Sequence, residues 1–347
     1  MKRYGNLFDK ITDIDNLILA DTKAQHGRLS PAIVKFNQDR DGNILKLQHA
    51  LREGTFKTSK YNIFKIFEHK ERIIYSLPHV DRIVHHAIMN VLEPIFRKSF
   101  TLNTFACISG RGISACARFV RKTINHYHEA PRLYCLKIDI KKFYPNIDHG
   151  VMKAVIRRKI KCKRTLQLLD EIIDSAAGLP IGNYTSQILS NLYLCNFMHY
   201  VNERIKVKAA QYADDIIFIH PDKAHLHEVF TQIKEYININ LKLTIKSNYQ
   251  IFPIANSRQD RSGRALDYVG FCFYRHCTLL RRRIKQNFCR RVARLRKCET
   301  LSKKELKRQV APWLGWLKYS DSKHLLKSQI SLHYDSNNIL RPATRRA

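Results

Sequence analysis

The 347-residue chain contains no apolar run long enough to cross a bilayer, which takes about 18 residues or more. Its N-terminus carries lysine and aspartate and no apolar leader, so the sequence reads as a cytoplasmic protein without a signal peptide and without a membrane partner. No CxxC pair occurs among the nine cysteines, and the nearest two, Cys272 and Cys277, have no second pair at zinc-ligand spacing. The odd count and this spacing favour reduced thiols over a disulfide framework. The 16 histidines are scattered, with no HExxH, so nothing points to a zinc protease. Internal repeats and low-complexity linkers are also missing. Negative charge is scarce: 29 Asp and Glu stand against 62 Lys and Arg, a formal net charge of +33. Such a field attracts polyanions, nucleic acid first among them.

What remains is a chain that is 44% hydrophobic and able to build a real core. Residues 1–60 read as mostly helical, with turn signals at "RDGN" and "REGT". "YNIFKIFEHKERIIYS" alternates like a β-hairpin with "EHKE" as its turn. From Val80 the apolar spacing becomes helical through Ile83, Val84, Ala87, Ile88, Val91 and Leu92. "ISACARFVRKTINHYH" predicts another helix, and "RLYCLKID" a strand. "GLPIGNYTSQ" is a Gly/Pro loop opening a long helix, and "AAQYADDIIFIH" reads as strand, tight turn, strand. An amphipathic helix follows at "HLHEVFTQIKEYININ", then a strand-like "LKLTIKSNYQIF" and a hairpin at "RALDYVGFCFYRHCTLLRRR". The β-α-β-α-β order within 133–250 predicts an α+β domain with helices on one face of a small sheet.

"QYADDIIFIH" places Asp214 and Asp215 side by side in an apolar run. Two carboxylates about 4 Å apart repel by roughly 4 kcal/mol at an effective dielectric near 20. Burying them is costly unless they are paired or hold a metal. A third acid, Asp139, ends the strand of "KIDIKKFYPNID". If the two strands are neighbours, all three carboxylates reach one sheet edge. Hard divalent cations take such oxygen ligands, and Mg²⁺ is usually held by one or two carboxylates plus substrate phosphates. Two ions so held activate an attacking oxygen and stabilise the leaving one in an in-line displacement at phosphorus.

These residues are similar to the motifs of reverse transcriptases. Tyr212-Ala213-Asp214-Asp215 resembles their YxDD box, and "KIDIKKFYPNIDH" their first aspartate motif. "RIIYSLPHVDRIVHHAIMNVLEPIF" resembles the fingers motif of the bacterial enzymes, and "YVGFCF" the primer-grip hairpin. The resemblance spans roughly residues 60–280 in the family's order. It implies a right-hand polymerase fold with fingers, a small antiparallel palm sheet and a helical thumb. It divides the chain into an N-terminal helical extension (1–60), fingers and palm (61–282) and a basic thumb (283–347). It implies nucleotidyl transfer from dNTPs on a template RNA, yielding cDNA, with two Mg²⁺ ions for which Mn²⁺ could substitute. By match, Asp139 and Asp214 bind both metals, Asp215 assists, and the Ile140 carbonyl touches the nucleotide-bound ion. Arg72 matches the fingers arginine that meets the triphosphate, with Lys70 a second candidate. Tyr144 stands where the family keeps an aromatic gate against a ribose 2′-hydroxyl; Phe143 is the core residue of that pair, and Asp148 a helix N-cap.

One departure narrows the family. Most reverse transcriptases have glutamine between the proline and glycine of the loop at 178–187, then serine-proline. Here Ile181 lies between Pro180 and Gly182, and Ser186 is followed by Gln187. This pattern, with "APWLGWLKYSDSKHLL", resembles the reverse transcriptases of diversity-generating retroelements. That family copies a template-repeat RNA with errors at adenines, diversifying a target gene, alongside a basic pentameric accessory variability protein. Isoleucine offers no donor or acceptor where glutamine would, and an apolar wall discriminates poorly between similar shapes. Gly182 fits close backbone approach to substrate, and Gln187 would orient the loop or meet the template. At the late palm motif the register puts Asn248 or Tyr249 where many polymerases have lysine, with Lys246 nearby, and no general acid is assigned. "RRRIKQNFCRRVARLRKC" spaces Ile284, Phe288, Val292 and Leu295 helically under a basic surface suited to phosphates. Ser302 to Glu305 reads as a capping box, and Pro312 is expected to end or kink the helix it opens. Trp313 and Trp316 are expected to pack the thumb core. The alternative readings are a retron or group II intron-like reverse transcriptase and, in another class, a catalytically silent RNA-binding protein.

Overall fold

Four helices open the chain in the computed structural model, which describes residues 3–27, 30–67, 71–296, 302–322 and 324–325: α1 (Phe8–Ile11), α2 (Ile14–Gln25), α3 (Pro31–Asn37) and α4 (Arg40–Arg52). A hairpin of β1 (Asn62–Phe67) and β2 (Glu71–Ser76) precedes α5 (His79–Arg97) and α6 (Ile113–His126). Then come β3 (Tyr134–Asp139), α7 (His149–Arg157), α8 (Lys163–Asp174) and α9 (Tyr184–Tyr200). The pair β4 (Lys208–Tyr212) and β5 (Asp215–His220) leads to α10 (Lys223–Leu241) and β6 (Gln250–Pro253). Three short strands, β7 (Leu266–Tyr268), β8 (Phe271–Phe273) and β9 (Thr278–Leu280), precede α11 (Arg282–Arg296) and α12 (Lys303–Lys318). Among the described residues no helix is long and apolar enough to cross a membrane.

These elements form two compact units that interleave along the chain. The first comprises Met1–Ile108, Asp139–Lys206 and Thr231–Ser247. Its centre is α5, whose apolar face of Ile83, Val84, Ala87, Ile88 and Leu92 is fully buried. The β1–β2 ribbon pairs antiparallel with Ile66 opposite Arg72 and Phe64 opposite Ile74. The turn expected at "EHKE" lies largely outside the described residues, as does Lys70. "RDGN" is not a turn: it forms the first turn of α4, because the Asp39 side chain caps that helix by accepting from the Gly42 amide at 3.2 Å. Asp148 caps α7 as expected, accepting from the Val151 amide at 2.9 Å.

A buried ionic knot ties the N-terminal helices to α5. Asp21 of α2 is wholly buried and receives Arg40 Nε at 2.6 Å, His79 Nε2 at 2.8 Å and Gln25 Nε2 at 2.8 Å. Burial pushes the Asp21 carboxyl up, but the bonds from Gln25, Arg40 and His79 outweigh it and hold it below its ordinary value of 3.8. Breaking such a knot from one side strands the remaining charge, so Asp21→Ala is expected to cost about 3 kcal/mol in urea unfolding. Because the folded pKa is the lower one, this stabilisation is complete above 3.8 and is lost as pH falls through the folded value. The gap between wild type and variant is therefore expected to stay constant from neutral pH to about pH 5 and to close only in more acid solution.

The second unit comprises Ser109–Ile138, Val207–Phe230 and Asn248–Ala347. Its main sheet has the order β4-β5-β3-β6, with β4–β5 and β3–β6 antiparallel. Four consecutive residues of β5, Ile216 to Ile219, are buried, so the sheet is covered on both faces there. The strand expected over "LKLTIKSNYQIF" is shorter than its apolar pattern: only Gln250–Pro253 joins the ladder, with an isolated bridge at Ile245. The final hairpin is a three-stranded sheet, β7-β8-β9. Phe288, Val292 and Leu295 form the buried stripe of α11, as their spacing predicts. Ser302 caps α12 through the Glu305 amide at 3.2 Å, and α12 runs on through Pro312 to Lys318 rather than ending there. Trp316 packs on Phe271 with ring centroids 5.2 Å apart, and Trp313 faces Phe288 at 6.3 Å.

Candidate active site

The YADD turn is built by β4 and β5, which pair Tyr212 directly with Asp215 and leave Ala213 and Asp214 as the two turn residues. Ala213 takes a φ of +54°, a left-handed conformation that two-residue hairpins demand. Gln211, fully buried, steadies the turn by donating from Nε2 to the Ala213 carbonyl at 3.2 Å. Beside β5 lies β3, whose last residue is Asp139. Side chains two apart on a strand share a face, so Lys137 and Asp139 point the same way. Lys137 Nζ stands 3.3 Å from Asp215 Oδ2.

Asp139 has its own cation: Lys246 Nζ lies 2.5 Å from Asp139 Oδ2, and the Lys246 amide donates to the Asp139 carbonyl at 2.9 Å. Lys141 N–H donates to Thr244 O at 2.8 Å, so Ile140, opposite Ile245, sits in a non-hydrogen-bonded pair. In such a pair both backbone groups point away from the partner strand, which directs the Ile140 carbonyl away from residues 244–246. Among the described residues no group of three or more His, Cys, Asp and Glu side chains is gathered at metal-binding range. Two of the three acids are each met by an ammonium instead. The donor set is hard oxygen with cations resting on it, and one or two carboxylates are what Mg²⁺ usually takes. The chemistry of these oxygen donors is of the kind a hard divalent cation takes.

The residues expected on the nucleotide side lie in the first unit. The Tyr75 amide of β2 donates to the Ile181 carbonyl at 2.8 Å, which ties the β1–β2 ribbon to the loop. Gly182 has a φ of +129°, and a Cβ added there would overlap the Tyr75 carbonyl oxygen. The loop is pinned at its other end too. The Leu179 amide donates to the Tyr144 carbonyl at 2.8 Å, and His149 Nε2 donates to the Gly178 carbonyl at 2.9 Å. Tyr144 is half-buried with its hydroxyl 3.4 Å from Ser190 Oγ, while Phe143 is buried in the core. Tyr144, Ile181 and Gly182 thus share one pinned loop system. Arg72 is exposed on β2, three residues before Tyr75, and Gln187 is exposed on the first turns of α9. At the start of α9, Asn183 donates to the Tyr61 hydroxyl at 2.8 Å and Thr185 meets His85 Nδ1 at 2.9 Å.

A profile of the family described as "Reverse transcriptase (RNA-dependent DNA polymerase)" matches residues 58–248. The chain belongs to this reverse transcriptase family. The match takes in the fingers ribbon, the loop at 178–187 and the YADD turn. "Protein YkfC" of Escherichia coli (strain K12) is 25% identical over 135 residues, covering 36% of this chain and 35% of that protein. "Nuclear intron maturase 4, mitochondrial" of Arabidopsis thaliana is 23% identical over 179 residues, covering 46% of this chain and 21% of the maturase. The chain thus spans about a third or less of the length of these relatives. Among solved structures, apo telomerase from Candida tropicalis superposes with a TM-score of 0.53 at 14% identity, over 82% of this chain and 56% of that one. That likeness is one of fold. With the mixed helices and small antiparallel sheets it places the reverse transcriptase in the α+β right-hand polymerase class.

Several residues that frame the site lie inside the quoted motifs, yet nothing in the motifs singles them out. Tyr75 acts through its backbone, which no side-chain pattern reveals. Lys137 could be anticipated from strand alternation, two residues before Asp139. Tyr268 meets the turn by its hydroxyl: it is buried, and its oxygen lies 2.8 Å from the Asp215 carbonyl and 3.0 Å from the Ala210 carbonyl.

Proposed function

We propose that this reverse transcriptase makes error-prone cDNA from a template-repeat RNA, as the enzymes of diversity-generating retroelements do. Ile181 carries this reading: it sits in a loop pinned to the fingers ribbon, where an apolar side chain replaces a hydrogen-bonding one. Residues 61–282 would supply fingers and palm and 283–347 the thumb. Asp139, Asp214 and Asp215 would hold the divalent ions, with the Ile140 carbonyl beside them. When bound, two Mg²⁺ ions supply activation of the attacking 3′-oxygen and stabilisation of the leaving pyrophosphate. Arg72 would draw in the triphosphate, Tyr144 would exclude a ribose 2′-hydroxyl, and Gly182 would let substrate approach the backbone. Gln187, exposed on α9, would face the template. The net charge of +33 supports sequence-independent, salt-sensitive binding of template and cDNA. A basic pentameric accessory protein is the partner this reading entails.

The test is primer extension on an RNA template with Mg²⁺, followed by sequencing of the product. Wild type is expected to misincorporate mainly opposite template adenines, and Ile181→Gln to reduce those errors several-fold while extension persists. An unchanged error spectrum in the variant would remove Ile181 from the account. The similarity to an intron maturase favours a second reading, a group II intron-like reverse transcriptase. Wild-type errors spread evenly over the four template bases would select it.

A further inference from the structure

The end of β7 grips the catalytic turn at two points. Tyr268 lends one hydroxyl proton to two carbonyls, Ala210 on β4 and Asp215 on β5, one on each strand beside the YADD turn. Lys137 makes the second link, donating to the Asp267 carbonyl at 2.9 Å while its ammonium faces the Asp215 carboxylate. The same ammonium lies 5.6 Å from the centre of the Tyr268 ring. Backbone and side chain of Asp215 are therefore both referred to residues 267–268.

The far side of the β7–β8 turn belongs to the C-terminal helices. Val269 and Gly270 have φ values of +41° and +85°. A β-branched residue in that region is strained by about 1–3 kcal/mol and persists only where its surroundings hold it. A Cβ added at Gly270 would overlap the Trp316 ring of α12 and come within 2.9 Å of Ile284 of α11. The Gly270 carbonyl accepts from the Arg281 amide at 3.0 Å, just before α11. One packed chain thus runs from Trp316 through Gly270 and Tyr268 to the Asp215 carbonyl, all within one unit.

We propose that Tyr268 is a positioning residue: it sets the backbone of the catalytic turn according to how α11 and α12 are seated on the β7–β8 turn. This rests on the polymerase reading given above. Nucleic acid drawn against α11 and α12 would then firm the turn that holds the acids, with the buried Tyr268 acting on that turn through backbone carbonyls alone.

Tyr268→Phe removes one hydroxyl and keeps the ring. Hydrogen exchange at the amides of residues 210–217 reads the turn without requiring activity. Faster exchange confined to that segment is expected in both Tyr268→Phe and Trp316→Phe, and unchanged exchange in both overturns the proposal. In primer extension, kcat of Tyr268→Phe is expected to fall roughly tenfold, while KM for dNTP and Kd for primer–template stay within about twofold. The double variant should lose no more kcat than the worse single one, because both interrupt the same chain. Losses that multiply would overturn the relay. If Tyr268→Phe does not fold, Trp316→Phe alone decides: lowered kcat with retained primer–template affinity supports it, and lowered affinity with unchanged kcat refutes it. A wild-type protein that extends no primer, yet shows the exchange effect, would sink the polymerase reading and leave the positioning role standing.

Discussion

Gly182→Ala is expected to lower kcat/KM for the incoming nucleotide about a hundredfold, the scale on which small misplacements of a reactant cost rate. A methyl group there meets the Tyr75 carbonyl and must also adopt a φ of +129°. The chain can relieve this only by moving the loop away from β2, which breaks the 2.8 Å bond between the Tyr75 amide and the Ile181 carbonyl. Ile181 and Arg72 then lose their common frame, since Arg72 lies three residues along the same strand. Tyr75→Ala should be mild by comparison, because both interactions use the Tyr75 backbone. Steady-state kinetics with each dNTP, beside a melting curve showing that the variant still folds, measures the effect. A loss below threefold in a folded protein would show that the loop and the ribbon are not coupled.

Asp139→Asn and Asp215→Ala are each expected to reduce extension by about a thousandfold, the equivalent of several kcal/mol of lost charge stabilisation in the transition state. Their effects on folding should be small or favourable. Both carboxylates are partly exposed, at 39% and 38% of the side chain, and their ion pairs with Lys246 and Lys137 are of the kind that contributes little to stability. Activity and stability should therefore separate, which distinguishes acids kept for chemistry from acids kept for structure.

Much of this was legible in the linear sequence, for identifiable reasons. The β1–β2 ribbon and α5 follow from periodicities of 2 and 3.6 that no tertiary contact overrides. The YADD turn announces itself because two carboxylates inside an apolar run need an explanation. "RDGN" misled because the decisive group, the Asp39 side chain, stands one residue ahead of it and converts a turn composition into a helix start. Of the end or kink expected at Pro312, the end does not occur: the helix runs on to Lys318, flanked by the buried residues Val310 and Leu317. At the site, the motifs named the acids and the loop but not what holds them. Lys246 reaches Asp139 from 107 residues away, Tyr75 acts through an amide, and Tyr268 through carbonyls that every residue possesses. Backbone partners leave no mark on side-chain identity, so only coordinates reveal them.

The central claim, that Asp139, Asp214 and Asp215 hold catalytic divalent ions together, is tested most directly by counting them. Mn²⁺ binding can be followed by electron paramagnetic resonance with a chain-terminated primer on an RNA template and the next dNTP. The account predicts about two tightly held Mn²⁺ ions per wild-type molecule, and loss of both in the Asp139→Asn, Asp215→Asn double variant while primer–template binding is kept. The same Mn²⁺ uptake in wild type and double variant would contradict it.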